Sequence, residues 1–447
     1  MPRRPSIHST WLHSDRFVPR RFVRPVLRFT EIEAAGGIAL LVAALAALVW
    51  ANSPGATAYE ALWETPLTVD LGLLRIDETL REVVNDGLMA VFFFVIGLEI
   101  KRELVAGELR DPRTAALPAL AALGGMVAPA LIYLAVAGGG EAARGWGIPM
   151  ATDIAFSLGV VALLGTRVPV GAKLFLLALA IVDDIGVIAV IALFYTSDLS
   201  LPWLAAGLAG LVAVALAAEV GIRSMVVYVG LGVLIWVAFL ESGVHATIAG
   251  VALGLLTPAR PMYQDEEYFA RSTAILDRFR SDEAREWSGE RIDEQALSLA
   301  GVARESVSPL NRLERALHPW SSFVIIPIFA LANAGVRLEG VGEALTSRVA
   351  LGVAAGLLVG KMLGISLFAF LAVRLGLGRL PIFTGWRHLV GIAALAGIGF
   401  TVSLFVAGLS FTDPELADRA RVGIFAGSTL AGLAGYLWLR FQPTARS

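Results

Sequence analysis

LALAIVDDIGVIAVIALFYT, residues 177–196, decides how this chain is read. The stretch is twenty residues long and carries only two charged side chains, the adjacent Asp183 and Asp184. A helix of about 20 apolar residues crosses the hydrocarbon core of a bilayer. An ionised group stranded at that depth costs roughly 2.5 to 3.5 kcal/mol on insertion scales, so its default explanation is function. The surrounding sequence is of the same kind. Its 447 residues are 57% hydrophobic and 17% charged, with a mean hydropathy of +0.72, against about a quarter charged in soluble domains.

Apolar stretches of spanning length recur about twelve times, which predicts an all-α polytopic membrane protein of about 12 transmembrane helices. Residues 1–33 form a basic segment, 34–257 hold the first eight helices, 258–317 are a polar insert, 318–440 hold the last four and 441–447 are a tail. The arginines before residue 34 and the small-residue stretch ANSPGATA after Trp50 imitate a signal peptide. Both the basic region and the apolar run are longer than in such peptides, so they read as a retained first span. Lys101, Arg102, Arg110 and Arg113, then Arg167 and Lys173, then Arg374, Arg379 and Arg387 fall in connections on the side of the basic N-terminus. The positive-inside rule then places both termini in the cytoplasm.

The net charge is only −2, and no nucleic-acid partner is expected. With no cysteine, disulfides, thiolate metal sites and cysteine nucleophiles are excluded. Residues 67–77, LTVDLGLLRID, suggest a short hairpin on the outer surface. The insert mixes charges with apolar residues at rough helical spacing, so a cytoplasmic segment with some helix is expected there.

Two further charges lie inside apolar runs: Asp153 in GIPMATDIAFSLGVVALLG and Lys361 in GLLVGKMLGISLFAFLAV. Adjacent helical residues point about 100° apart, so Asp183 and Asp184 face different partners. One would face a cavity with Asp153, the other a cation such as Lys361. Burial disfavours an ionised carboxyl while an opposite charge favours it, so these groups can trade protons near neutral pH. Three acids against one lysine exceed what a structural ion pair explains. Without a proton, neighbouring carboxylates need a cation, and a small hard ion such as Na⁺ or Li⁺ suits oxygen ligands. Protons and alkali ions then compete for one site, which is an exchange mechanism.

Gly147 and Pro149 precede Asp153, and Gly397 and Gly399 sit mid-span beside Thr401 in LVGIAALAGIGFTVSLFVAG. Proline breaks the helical ladder, and broken helices at membrane depth occur only where they line a cavity or pack in protein. Two interrupted spans in corresponding halves point to an inverted-repeat transporter with discontinuous helices crossing near the midplane. Asp153 would offset the positive half-helix ends and Lys361 the negative ones.

The stretches ATDIAFSLGVVALLG, LALAIVDDIGVIAVIALFYT, GVHATIAGV, ALANAGV, LLVGKMLGIS and GIGFTVSLFVA resemble NhaA-type sodium/proton antiporters, from about residue 36 to about residue 440. That family is itself a standard example of inverted-repeat transporters, so the broken-span reading and the resemblance form one argument. The resemblance implies that Asp153 and Asp184 hold Na⁺ or Li⁺, with Asp184 the principal ligand and Thr152 nearby, and that Asp183 pairs with Lys361 until proton exchange breaks the pair. It also implies a pH-sensing cluster of Glu99, Arg102, Glu103, Glu314 and His318 at a cytoplasmic funnel, and a homodimer supported by the outer hairpin. Asp86 and His245 match family positions without a defined role. Arg315 stands where the family has a second histidine, and the insert enlarges the funnel-side connection, so regulation transfers least.

The function expected is secondary active export of Na⁺ or Li⁺ in exchange for H⁺, electrogenic and pH-regulated, in a bacterial-type inner membrane. No enzymatic activity and no resident cofactor are expected. A passive cation channel using the same acids is the alternative, although a pore needs no buried lysine. An intramembrane aspartyl protease would need motif context around each aspartate that is missing here.

Overall fold

The computed structural model describes residues 35–70, 75–196, 199–222, 224–281, 288–337 and 339–442. The basic segment 1–33, the tip of the hairpin and most of the tail lie outside the described residues. Sixteen helices and one hairpin matter for the site. In chain order they are α1 (Ala35–Ala51), α2 (Ala56–Trp63), β1 (Pro66–Asp70), β2 (Arg75–Thr79), α3 (Leu80–Ala106), α4 (Pro112–Ala137), α5 (Ile154–Leu164), α6 (Val170–Phe194), α7 (Leu201–Glu219) and α8 (Met225–Glu241). There follow α9 (Thr247–Leu256), α10 (Asp265–Arg280), α11 (Gly289–Glu305), α12 (Pro309–Asn333), α13 (Arg348–Arg374), α14 (Trp386–Leu395), α15 (Phe400–Ser410) and α16 (Pro414–Arg440).

Seven of these are long and apolar enough to span singly, three further spans are bent pairs, and α8 and α9 are shorter apolar helices. Together they account for the twelve segments read from hydropathy. Their outward faces carry side chains such as Leu193, 75% exposed, and Val226, 81% exposed. Such surfaces suit lipid rather than water.

The chain divides into two compact units. The first takes the residues up to Asn85, Pro112–Ile191 and the residues from Ser322 onward. Its core joins Leu117 and Ala121 of α4, Val161 of α5, Phe175 and Leu179 of α6, Ile365 and Ala369 of α13, and Leu389 and Ile392 of α14. Alanine and glycine dominate the tightest contacts, as expected where lipid is as apolar as the side chains and only close packing drives association. A Cβ on Gly423 of α16, for example, would stand 2.6 Å from the Ala350 carbonyl of α13.

All three bent pairs belong to this unit. The 3-10 segment Gly140–Met150 and the helix beginning at Ile154 meet at 44°, and α14 and α15 at 47°. The third, α1 with α2, turns by 116° and is not signalled as a break by the sequence reading. Asn52 and Tyr59 fix it, through Asn52 Nδ2 donating to the Val336 carbonyl at 2.8 Å and the Tyr59 hydroxyl donating to the Leu331 carbonyl at 2.8 Å. The hairpin expected between the first two spans is present as β1 and β2, antiparallel from Pro66 opposite Thr79 to Asp70 opposite Arg75.

The second unit is Asp86–Asp111 and Ala192–Ser321. Ile235 and Phe239 of α8, Val214 of α7 and Ala249 of α9 make its core. α3 and α9 approach closely because of glycine: a Cβ on Gly97 would stand 2.6 Å from the Val251 carbonyl, and one on Gly254 2.6 Å from that of Phe94. The insert contains the helices α10 and α11, of which only Ile275 is buried. Backbone bonds from Met262 N to Glu305 O at 2.9 Å and from Leu310 N to Pro258 O at 3.1 Å close its base.

Candidate ion-binding site

The two broken spans of the first unit meet at their breaks. Asp153 N donates to the Ile398 carbonyl at 2.6 Å, the Ser157 hydroxyl to the Leu395 carbonyl at 3.0 Å, and the Ser403 hydroxyl to the Ile148 carbonyl at 2.8 Å. Helix ends leave backbone donors and acceptors without intrahelical partners, and here each break supplies partners to the other. Gly399 fits because its surroundings leave no room for a side chain: a Cβ would stand 2.8 Å from Leu357 Cδ2.

Asp153 caps α5. Its Oδ1 accepts from Phe156 N at 3.1 Å, while Oδ2 accepts from Thr401 N at 3.1 Å and from the Thr401 hydroxyl at 2.6 Å. The residue is buried. A carboxylate at two helix starts answers the positive end of each dipole. Three protein donors hold its carboxyl in place.

Asp183 and Lys361 form the other charged centre. Lys361 Nζ lies 2.5 Å from Asp183 Oδ2, and neither side chain is exposed. Thr152, at the first break, joins them: Lys361 Nζ donates to its hydroxyl at 3.0 Å, and that hydroxyl stands 2.7 Å from Asp183 Oδ2 and 2.9 Å from the Ala396 carbonyl. One hydroxyl proton serves one of those acceptors at a time. Asp183 Oδ1 is buried with no hydrogen-bond partner. Asp184 is also buried, and its charge reaches Lys361. The Thr152 hydroxyl contacts Asp183. Among the described residues, no three His, Asp or Glu converge as a metal cage.

The second unit gathers the other charged set. Arg102 pairs with Glu314 through Nη1 and with Glu103 through Nη2 at 3.3 Å. Glu103 Oε2 accepts from Glu108 N at 3.0 Å, and Glu103 and Glu314 are both buried. These are not the solvated acids of an ordinary helix end. Glu99 lies one turn earlier, within reach of the charges of Glu314, Arg102 and Glu103. His318 is exposed and lines, with Arg102, Asn311, Glu314, Arg315 and Pro319, a cleft of about 420 Å³. The Asp86 carbonyl accepts from Trp236 Nε1 at 2.8 Å. His245, in the connection between α8 and α9, has Nε2 2.8 Å from the Tyr195 carbonyl. Burial pushes its imidazole down from the usual range, against the pull of that hydrogen bond.

Two polar features escaped the sequence reading. Thr401 was noticeable only as a neighbour of glycines, yet it supplies two of the three bonds to Asp153. Asn333 of ALANAGV donates to Asn85 Oδ1 at 2.8 Å and to the Phe329 carbonyl at 3.0 Å. An amide in an apolar run was the available signal for that pair.

A family model described as Na⁺/H⁺ antiporter 1 matches residues 27–439. The chain is 46% identical over 429 residues to the Na(+)/H(+) antiporter NhaA 2 of Sorangium cellulosum, covering 95% of this chain and 91% of that one. It is 47% identical over 429 residues to the Na(+)/H(+) antiporter NhaA of Rhodopirellula baltica, covering 95% and 96%. Against the Na(+)/H(+) antiporter NhaA of Koribacter versatilis it is 47% identical over 423 residues, covering 94% and 92%. With match lengths and a broken-span architecture of this kind, the chain belongs to the family of NhaA-type Na⁺/H⁺ antiporters.

Proposed function

We propose that the protein exports Na⁺, and Li⁺ likewise, in exchange for protons that enter through the same buried carboxyls. The observation that carries this reading is the Lys361–Asp183 pair, closed by Thr152 at the break of a discontinuous span, with Asp184 beside it. Asp184 is the principal cation ligand, and the free Asp183 Oδ1 offers a second oxygen once Lys361 withdraws. Asp153 belongs to the cation site, its carboxyl anchored where the two half-helices start.

A proton on Asp183 removes the charge that Lys361 answers, so protonation and pairing exclude one another. Na⁺ leaves as protons arrive because a protonated carboxyl no longer carries the charge that holds the ion. If two protons replace one Na⁺, each cycle carries one net positive charge inward. An inside-negative potential then contributes about 2.3 kcal/mol per 100 mV, and each pH unit about 1.4 kcal/mol per proton. Both terms favour export when the exterior is more acidic than the cytoplasm.

In this reading Arg102, Glu103, Glu314, Glu99 and His318 tune activity with pH, and the hairpin of β1 and β2 supports a homodimer. The protein sits in a bacterial-type inner membrane with both termini in the cytoplasm, and it performs no chemistry on its cargo. The test is flux in liposomes with a clamped potential and an internal pH dye. Added Na⁺ should move protons promptly, at a rate that follows the potential. Na⁺ flux without stoichiometric proton movement would contradict exchange and describe a channel.

A further inference from the structure

Lys361 stands at the end of a wide helical turn. Over Gly356–Gly360, α13 is π-helical, and the N–H of Lys361 itself donates to the Gly356 carbonyl five residues back. A turn of this kind is uncommon and gathers at functional sites. It holds more residues than an α-turn, so it resets the direction of every side chain that follows by about the 100° that separates neighbours on a helix. With Nζ 2.5 Å from Asp183 Oδ2, the pair leaves no slack for such a rotation.

Both ends of the turn are glycines held against prolines. A Cβ on Gly360 would stand 2.6 Å from Pro129 Cα and 2.9 Å from Pro129 N, in α4. A Cβ on Gly356 would stand 2.7 Å from Pro149 Cβ and 3.2 Å from the Pro129 carbonyl. Pro129 has no N–H and breaks the ladder of α4 at the level of the turn. Beyond the turn, the stem of Lys361 runs past α4, its Cδ 3.7 Å from where a Cβ on Gly125 would be.

We infer that Gly356 and Gly360, seated on Pro149 and Pro129, are positioning residues that hold the wide turn of α13 and so aim Lys361 at Asp183 and Thr152. The inference rests on the reading of the Asp183–Lys361 pair as part of the exchange. It assigns the two glycines a role in transport that acts through the lysine, separate from packing α13 on α4.

The test is a mutant cycle in proteoliposomes, with the Na⁺ KM and the pH profile of exchange as readouts. The variants are Gly360→Ala, Lys361→Ala and the two combined, with Gly352→Ala as a control outside the turn, where a Cβ meets the Tyr133 ring at 3.1 Å and the Tyr133 carbonyl at 3.4 Å. Gly360→Ala should move the pH profile in the same direction as Lys361→Ala, and the double variant should match Lys361→Ala within about twofold, because residues acting through one contact are not additive. Gly352→Ala should keep the wild-type profile. If Gly360→Ala is not recovered from the membrane, Gly356→Ala at the other end of the turn takes its place in the cycle. Additive effects, or an equal shift in Gly352→Ala, would overturn the inference while leaving the exchange reading intact. A wild-type profile in Lys361→Ala would overturn both.

Discussion

Lys361 Nζ and Asp183 Oδ2 lie 2.5 Å apart with both side chains shut away from solvent. Desolvating two opposite charges is expensive, and only good geometry with added hydrogen bonds repays it. Thr152 supplies one such bond to the ammonium. The pair is consequently stable only as a pair, which suits a site where one partner is periodically neutralised by a proton.

Removing the lysine alone leaves Asp183 buried without its counter-ion. Lys361→Ala should lower stability by about 3–5 kcal/mol, the usual cost of breaking a buried pair from one side. Replacing both partners, as Asp183→Asn with Lys361→Met, should cost less. Thermal unfolding of the purified protein in detergent gives the comparison, and a double variant less stable than the single would contradict the account.

Thr401 anchors Asp153 through its hydroxyl at 2.6 Å and its N–H at 3.1 Å. Only the hydroxyl can be removed by substitution. Thr401→Val should cost about 0.5–1.5 kcal/mol for the lost hydrogen bond and slow exchange, whereas Thr401→Ser should retain most of both. Stability and flux in the two variants decide it. Equal behaviour of Val and Ser would show that the hydroxyl does not hold Asp153.

In the second unit, α3 and α9 touch backbone to backbone at Gly97 and Gly254. Gly254→Ala forces a Cβ to within 2.6 Å of the Phe94 carbonyl unless the helices separate. Overpacking of this kind costs typically about 1–3 kcal/mol, so the melting temperature should fall. Gly230→Ala in α8, where a Cβ meets nothing within 4 Å, is the matched control and should change little.

His245 gives a pH-dependent term in stability. Burial lowers its folded value below the ordinary 6.5, so the unfolded chain takes up a proton first as pH falls. The stabilisation is therefore complete above about pH 6.5 and is lost progressively below it, toward the lowered folded value. Melting temperatures at about pH 7.5 and about pH 5.5, a window that brackets the imidazole, should differ more in the wild type than in His245→Gln. A difference of equal size in both would remove His245 from the explanation.

Much of this arrangement was legible in the sequence because the membrane simplifies the code. Apolar runs of spanning length gave the helices, and a charge inside such a run, as at Asp153, Asp183, Asp184 and Lys361, has few meanings. Pro149 and the pair Gly397 and Gly399 marked the two breaks that meet at the site, since proline and glycine act on the backbone locally. What stayed hidden depends on tertiary neighbours. The 116° turn after α1 is held by Asn52 and Tyr59 reaching residues nearly three hundred positions away. The capping of Asp153 by Thr401 spans 248 positions, and the wide turn before Lys361 is set by contacts with Pro129 and Pro149 that helical periodicity does not announce.

Asp184→Asn asks whether the two adjacent aspartates exchange Na⁺ for protons. The variant keeps size and hydrogen-bonding capacity but carries neither charge nor exchangeable acid. In proteoliposomes with an internal pH dye, wild-type protein should answer added Na⁺ with prompt proton movement that follows the clamped potential. The Asp184→Asn protein, inserted and folded to the same yield, should give none. Robust Na⁺-driven proton movement in that variant would contradict the account.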